Sequence, residues 1–261
     1  MKETQGSIGS AQGYDLRLTA VRPANDTPAA AVLMLHGFGT GRNNKLNQRL
    51  APWLAERGIA SVRFDFAGHG ESGGTTRALT IGAAADDAQT VYRALPRLTG
   101  ITEEPRGAIA SSFGAAALLR CVRSLDGLKA MVLRAPVSNY SEVRRLQFGD
   151  DGIAKWREAG VLMVNSSKGP LESGYEFYRD AIAHDTYAEV ANLKVPTLVI
   201  QGSKDEDIPL QHSERLVRAL GENARLQIVD GANHSFGTDD NFRALFDAAG
   251  SFLVQHLSGK Q

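Results

Sequence analysis

Arg106–Gly107–Ala108–Ile109–Ala110–Ser111–Ser112–Phe113–Gly114–Ala115–Ala116–Ala117 reads as a short apolar strand, a tight turn carrying serine, and a helix of small residues. A serine on such a strand-to-helix turn is held in a strained backbone conformation, with its hydroxyl projecting from the top of a sheet. Strand and helix approach so closely that the residues two before and two after the serine must be small. Ala110 and Gly114 meet that condition around Ser112. Centring the turn on Ser111 would put Phe113 where a small residue is required. Ser112 is therefore the candidate nucleophile and Ser111 its neighbour. Alanine at 110 replaces the first glycine of the usual Gly-x-Ser-x-Gly pattern.

The rest of the chain supplies strands and helices in alternation. Tyr14–Val21 alternates apolar and polar residues like a half-buried strand, with Gly9–Gly13 as a hairpin turn and Thr4–Ile8 as a weak partner. Ala30–Leu35 is an unbroken apolar run, which reads as a strand buried on both faces. Leu46–Arg57 places Leu46, Leu50, Trp53 and Leu54 on one helical face, and Gly58 stops it. Ile59–Phe64 is a strand, Thr80–Leu95 a helix capped by Thr80, and Leu128–Leu133 a strand. Pro196–Gln201, Gln211–Leu220, Ala224–Val229 and Asn241–His256 continue the pattern as strand, helix, strand and helix. Such alternation predicts a mostly parallel sheet with helical crossovers and an antiparallel edge from the opening strands. Residues 138–192 break the rhythm with charged helical stretches and a Gly-rich joint, Ser166–Gly174. They are expected to form a helical cap inserted into a core made of 1–137 and 193–261, lying over the C-terminal ends of the strands.

Composition narrows the field. Lys plus Arg equals Asp plus Glu at 29 each, so no basic excess points to nucleic acid. The one cysteine, Cys121, allows no intrachain disulfide and reads as a buried thiol on an apolar helix. Met1–Gln12 is polar without the apolar core of a signal peptide, and no apolar run approaches the ~18 residues of a membrane span. A cytoplasmic protein without a membrane span is expected.

A serine hydroxyl needs a base to take its proton and a group to orient that base. In the elbow arrangement these follow the serine in the order acid, then histidine, each after a late strand. The acid loop is Gly202–Ser203–Lys204–Asp205–Glu206–Asp207–Ile208–Pro209, where Asp205 and Asp207 compete with Glu206 between them. The histidine loop is Asp230–Gly231–Ala232–Asn233–His234–Ser235–Phe236. Charge developing on an attacked carbonyl needs backbone N–H donors. One is expected from Phe113 and the other from Phe38, in the loop His36–Gly37–Phe38–Gly39–Thr40–Gly41. Gly37 and Gly39 would let that backbone approach a substrate. Gly37-x-Gly39 also opens like a dinucleotide fingerprint, but the third glycine falls on Arg42, so no nucleotide cofactor is expected.

His36–Gly37–Phe38, the block Phe64–Asp65–Phe66–Ala67–Gly68–His69–Gly70–Glu71–Ser72, Gly202-x-x-Asp205-x-x-Ile208–Pro209 and Gly231–Ala232–Asn233–His234 resemble the α/β-hydrolases. Within them the chain is similar to bacterial feruloyl/cinnamoyl esterases and to serine-aminopeptidase-like and monoacylglycerol-lipase-like hydrolases. The resemblance runs from about residue 14 to the end and is weakest over 138–192. It implies an α/β-hydrolase fold with a sheet of about eight strands, helices on both faces and a small helical cap. Its patterns assign the triad acid to Asp205 and the base to His234, and make Asp65 a brace for its loop. The elbow departs from those relatives, which carry Gly-His-Ser-x-Gly-Gly where this chain has Ala110–Ser111–Ser112–Phe113–Gly114–Ala115.

Other candidates read as structural. His69 lies in a Gly-flanked turn, His184 and Asp185 fall on the cap surface, and His212 and His256 read as solvated positions on helices. No cluster has metal-ligand spacing, so neither metal nor cofactor is expected. Trp156, Tyr175, Phe177 and Tyr178 suit either an apolar acyl pocket or cap core, with Trp156 and Tyr178 taken as substrate contacts. The expected activity is a serine hydrolase that cleaves small acyl esters through an acyl-enzyme. The alternatives are a thioesterase, peptidase or acyltransferase on the same triad, or a non-catalytic binding module on the same fold.

Overall fold

Alternating residues build the edge of the sheet and unbroken apolar runs build its centre. The computed structural model describes residues 1–25, 27–101, 105–166 and 169–258. In chain order it has β1 (Lys2–Gly9), β2 (Asp15–Arg22), β3 (Ala30–Leu35), α1 (Lys45–Ala55), β4 (Ile59–Phe64), α2 (Ile81–Arg93) and α3 (Leu95–Thr99). Then come β5 (Arg106–Ser111), α4 (Phe113–Cys121), β6 (Leu128–Arg134), α5 (Tyr140–Ala159), β7 (Val161–Val164) and β8 (Leu171–Gly174). The chain closes with α6 (Tyr175–Ile182), α7 (Thr186–Glu189), β9 (Thr197–Gly202), α8 (Leu210–Leu220), β10 (Ala224–Val229) and α9 (Asp239–Leu257).

Eight strands form one sheet in the order β1-β2-β4-β3-β5-β6-β9-β10. The β1–β2 and β2–β4 pairs are antiparallel; β4–β3, β3–β5, β5–β6, β6–β9 and β9–β10 are parallel. This is the α/β-hydrolase architecture. Strand pleating splits the core in two. Ala31, Leu33 and Leu35 of β3 join Ala108 and Ala110 of β5 in the layer that holds α2 and α4. Ala30, Val32 and Met34 join Ile109 in the layer that holds α1 and α9. Each strand of the sheet's centre must therefore be apolar on both faces, which is why β3 has no polar residue.

Capping fixes the helices against that sheet. Asn44, Thr80 and Thr238 each accept a hydrogen bond from a first-turn N–H of α1, α2 and α9. Residues 138–192 connect β6 to its sheet neighbour β9 and hold α5, α6 and α7. They also hold a short antiparallel hairpin of β7 and β8, to which the sequence reading gives no strand. Gly149, at φ 66°, breaks α5 into two segments. The indole N–H of buried Trp156 donates to Ser173 O on that hairpin (2.9 Å), so helix and hairpin form one packed unit.

Candidate active site

Five loops meet at the C-terminal ends of the parallel strands, and each carries one part of the site. β5 ends at Ser111, and Ser112 takes φ 49°, ψ −110°, a conformation costly for any residue but glycine. Close packing holds it there. A Cβ on Gly114 would lie 2.5 Å from His36 O and 2.9 Å from Leu35 Cβ, so helix α4 presses directly on the end of β3. Gly37 also lies against the turn, where a Cβ would sit 3.5 Å from Ser112 Cβ.

His234 Nε2 lies 3.1 Å from Ser112 Oγ, and its Nδ1 lies 2.8 Å from Asp205 Oδ2. A carboxylate only accepts, so Nδ1 carries the proton and donates to Asp205. Nε2 is left to accept from the Ser112 hydroxyl. Asp205 is anchored from three further sides. Its Oδ1 accepts the N–H groups of Asp207 (3.0 Å) and Ile208 (2.9 Å), and its Oδ2 accepts from Gln201 Nε2 (2.7 Å). The Gln201 Oε1 in turn accepts from Ser213 Oγ at 2.8 Å. Asp207 is exposed and supplies only its backbone N–H to this arrangement. The competition between Asp205 and Asp207 thus ends in Asp205 facing the imidazole.

The 36–41 loop is pinned by two buried histidines. His36 Nδ1 donates to Gly37 O (2.8 Å), and His36 Nε2 accepts from Phe66 N–H (3.1 Å). His69 Nδ1 donates to Ala67 O (2.9 Å), and its Nε2 accepts from Gly39 N–H (3.1 Å). Asp65 braces the far end of the loop through Arg42, which it meets at both the backbone N–H (2.6 Å) and the guanidinium. Phe113 is the first residue of α4, so its N–H has no acceptor within the helix. Among the described residues Phe38 N–H donates to no backbone carbonyl. Phe38 lies on the loop after β3 and Phe113 directly follows Ser112.

A cavity of about 250 Å³ opens beside Ser112 and His234, walled by Gly37, Phe38, Arg134, Leu46 and Phe242 among others. The rest of its wall comes from Thr40, Asn44, Lys45, Ser111, Ser235 and Leu245, and among the described residues none of 138–192 lines it. Trp156 and Tyr178, taken as substrate contacts from the sequence, do not line this cavity. Both are buried in the 138–192 unit, and Tyr178 Oη accepts from Arg145 Nε (2.9 Å). Cap core and pocket wall call for the same aromatic residues, and composition alone does not separate them. Gly39 is also off the wall, its N–H taken by His69.

His212 is not solvated as expected, and His256 is half-buried. His212 is buried near Glu142 (3.9 Å), and desolvation holds its imidazole below the usual range. His256 stacks on Phe252, with ring centroids 4.2 Å apart, and bonds to the Phe252 carbonyl. His184 sits between Asp180 and Glu189. Asp205, Asp207 and His234 each bring one donor atom within 4.8 Å of the others, but the Asp205–His234 hydrogen bond already occupies that space.

Sequence reasoning missed Gln201 and Arg134. Gln201 follows the apolar run Leu198–Ile200 of β9, which is a readable signal. Arg134 ends β6 one residue beyond the apolar run, and nothing in its immediate sequence marks it.

The family model described as serine aminopeptidase, S33, matches residues 26–164. The uncharacterized protein YfhR of Escherichia coli (strain K12) is 24% identical over 216 residues, covering 81% of this chain and 66% of its own length. The chain thus spans just under two thirds of that relative. A monoacylglycerol lipase of Mycolicibacterium smegmatis is 26% identical over 267 residues, covering 88% of this chain and 90% of its own. Est1E of Butyrivibrio proteoclasticus, solved with bound ferulic acid, superposes with a TM-score of 0.81 at 21% identity, covering 97% of this chain and 99% of its own. Among the described residues no helix is long and apolar enough to cross a membrane.

Proposed function

This chain belongs to the serine aminopeptidase S33 family of hydrolases, and from that premise we propose that it cleaves small carboxylic esters by two-step acyl transfer on Ser112. The observation that carries the proposal is the unbroken line from Asp205 Oδ2 through His234 to Ser112 Oγ, with steps of 2.8 and 3.1 Å. His234 Nε2 takes the Ser112 proton as Oγ bonds to the ester carbon. Asp205 stabilises the imidazolium that results. The carbonyl oxygen, now an oxyanion, accepts from Phe38 N–H and Phe113 N–H. His234 returns the proton to the departing alkoxide as the ester C–O bond breaks, leaving an acyl-Ser112. Water then gives its proton to His234, attacks the acyl carbon and releases the acid, and Ser112 recovers its proton. Residues 138–192 act as a cap on the core of 1–137 and 193–261, packing through Tyr140 and Phe177 on Phe113 of the elbow.

Ester cleavage is preferred over removal of N-terminal amino acids because of the charge on the cavity wall. Among the described residues its charged side chains are Arg134 and Lys45, and both oppose a substrate ammonium. Hydrolysis of p-nitrophenyl acetate through decanoate, with methyl ferulate and an aminoacyl-p-nitroanilide alongside, tests the reading. Ester turnover lost in Ser112→Ala supports it. Anilide cleavage without ester cleavage overturns it.

A further inference from the structure

Arg134 is a cation within the wall of the reaction cavity, and among the described residues no carboxylate makes a direct ion pair with it. Its backbone belongs to the site: residue 134 pairs with Ser111 across β5 and β6, and Arg134 O accepts Ser112 N–H at 2.9 Å. Its side chain lines the same cavity as Ser112 and His234. One guanidinium N–H donates to the His234 carbonyl, and the Phe236 ring lies 5.1 Å from the guanidinium carbon, so the group is held rather than floating. Among the described residues no carboxylate lies within ion-pair distance of it. Asp205 acts on it only at longer range, and burial pushes the guanidinium down to about 10. Arginine carries five N–H donors in a planar fork, and the bond to His234 O uses one nitrogen. The same wall carries Lys45, whose partner Asp239 faces solvent 3.3 Å away. Among the described residues no carboxylate side chain lines the cavity.

We propose that Arg134 is a specificity-determining residue and that the natural substrate carries a carboxylate a few bonds from the scissile carbonyl. The inference rests on the ester-hydrolase reading of Ser112. A half-buried guanidinium that has lost water regains it most fully as a charge-assisted pair with a carboxylate, which matches its fork geometry. Size agrees with a short group. A cavity of about 250 Å³ lies below the ~300–1,000 Å³ of pockets for drug-sized ligands.

The test compares kcat/KM, by pH-stat, for two pairs of similar size that differ in charge. Ethyl hydrogen glutarate against ethyl valerate puts the charge on the acid part, and O-butyrylglycolate against propyl butyrate puts it on the alcohol part. In the wild type one charged ester is expected to exceed its neutral partner by about tenfold to a hundredfold. The pair that does so identifies which side of the ester faces Arg134. In Arg134→Met that ratio is expected to fall to about one, with Arg134→Lys in between. A residue that merely holds the His234 loop would slow both members of a pair alike and leave the ratio intact, which would overturn the proposal. A wild-type ratio at or below one in both pairs would overturn it without any variant. Calorimetric binding of ethyl hydrogen glutarate and O-butyrylglycolate to Ser112→Ala, each against its neutral partner, separates the two readings. Charge-selective binding without turnover in the wild type would refute the ester-hydrolase reading and keep the anion site. Absence of charge-selective binding in both pairs would refute the anion site itself.

Discussion

Gln201 Nε2 lies 2.7 Å from Asp205 Oδ2, the same oxygen that faces His234 Nδ1 at 2.8 Å. One carboxylate oxygen thus receives an amide donor from the sheet and the imidazole from the last loop. Gln201 fixes where that oxygen points. Gln201→Met is expected to lower kcat about tenfold with little change in KM, the effect of losing one hydrogen bond to a charged group. Asp205→Asn is expected to cost about 10³- to 10⁴-fold, because the imidazole loses its tautomer control. Asp207→Asn keeps the backbone N–H and should stay within a few-fold of wild type. Equal losses at 205 and 207, measured by steady-state kinetics, would contradict the assignment.

Gly114 is where helix α4 and strand β3 touch. The added methyl of Gly114→Ala would meet His36 O at 2.5 Å and Leu35 Cβ at 2.9 Å, neither of which is a flexible chain end. A loss of about 1–3 kcal/mol of stability is expected from overpacking, together with a fall in activity as the elbow shifts. Urea unfolding checks the first and ester hydrolysis the second. An unchanged midpoint would show that the contact is looser than the geometry implies.

Asp87 is buried in α2 with the Tyr14 hydroxyl 3.1 Å from both carboxyl oxygens. Desolvation raises its carboxyl to about 7, above the usual aspartate value. The folded chain therefore holds a proton that the unfolded chain has lost between about pH 4 and 7. Stability is fully present below that window and falls as pH rises through it. Asp87→Asn should raise Tm at pH 8 and change it little at pH 4.5. An equal shift at both, by calorimetry, would contradict a raised carboxyl.

Cys121 is buried and bonds to Leu118 O, and burial pushes its thiol up to about 12. Very little thiolate exists at pH 8, so a disulfide reagent should not label the native protein while it labels the urea-unfolded chain fully. Rapid labelling of the native protein would contradict a closed core around α4.

The parallel sheet was legible because β3, β5 and β9 are apolar on both faces and bounded by turn residues. The elbow was legible because close packing leaves few residue choices, which singled out Gly114. Other features depend on tertiary contacts that no local pattern carries. His212 is the exception: it stands four residues before Leu216 and eight before Leu220, so the helical period already puts it on the buried face of α8, where Ser138 Oγ donates to His212 O (3.2 Å) and lies 3.0 Å from Tyr187 Oη. β7 and β8 are four residues each and gain their pairing from one another, too little sequence for a period to show. Trp156 is a similar case, since an aromatic residue suits a pocket and a core equally until its indole N–H is seen to reach Ser173 O. Arg134 is the sharpest example. A strand that ends in arginine is ordinary; the loop carrying His234 and Phe236 is what makes it part of the site.

Labelling with a fluorophosphonate, followed by peptide mass mapping, reads the nucleophile directly and without any choice of substrate. The reagent should form one adduct, on Ser112, that is absent in Ser112→Ala, much slowed in His234→Ala and retained in Ser111→Ala. An adduct on Ser111, or none on the folded wild type, would contradict the assignment of Ser112 as the activated serine.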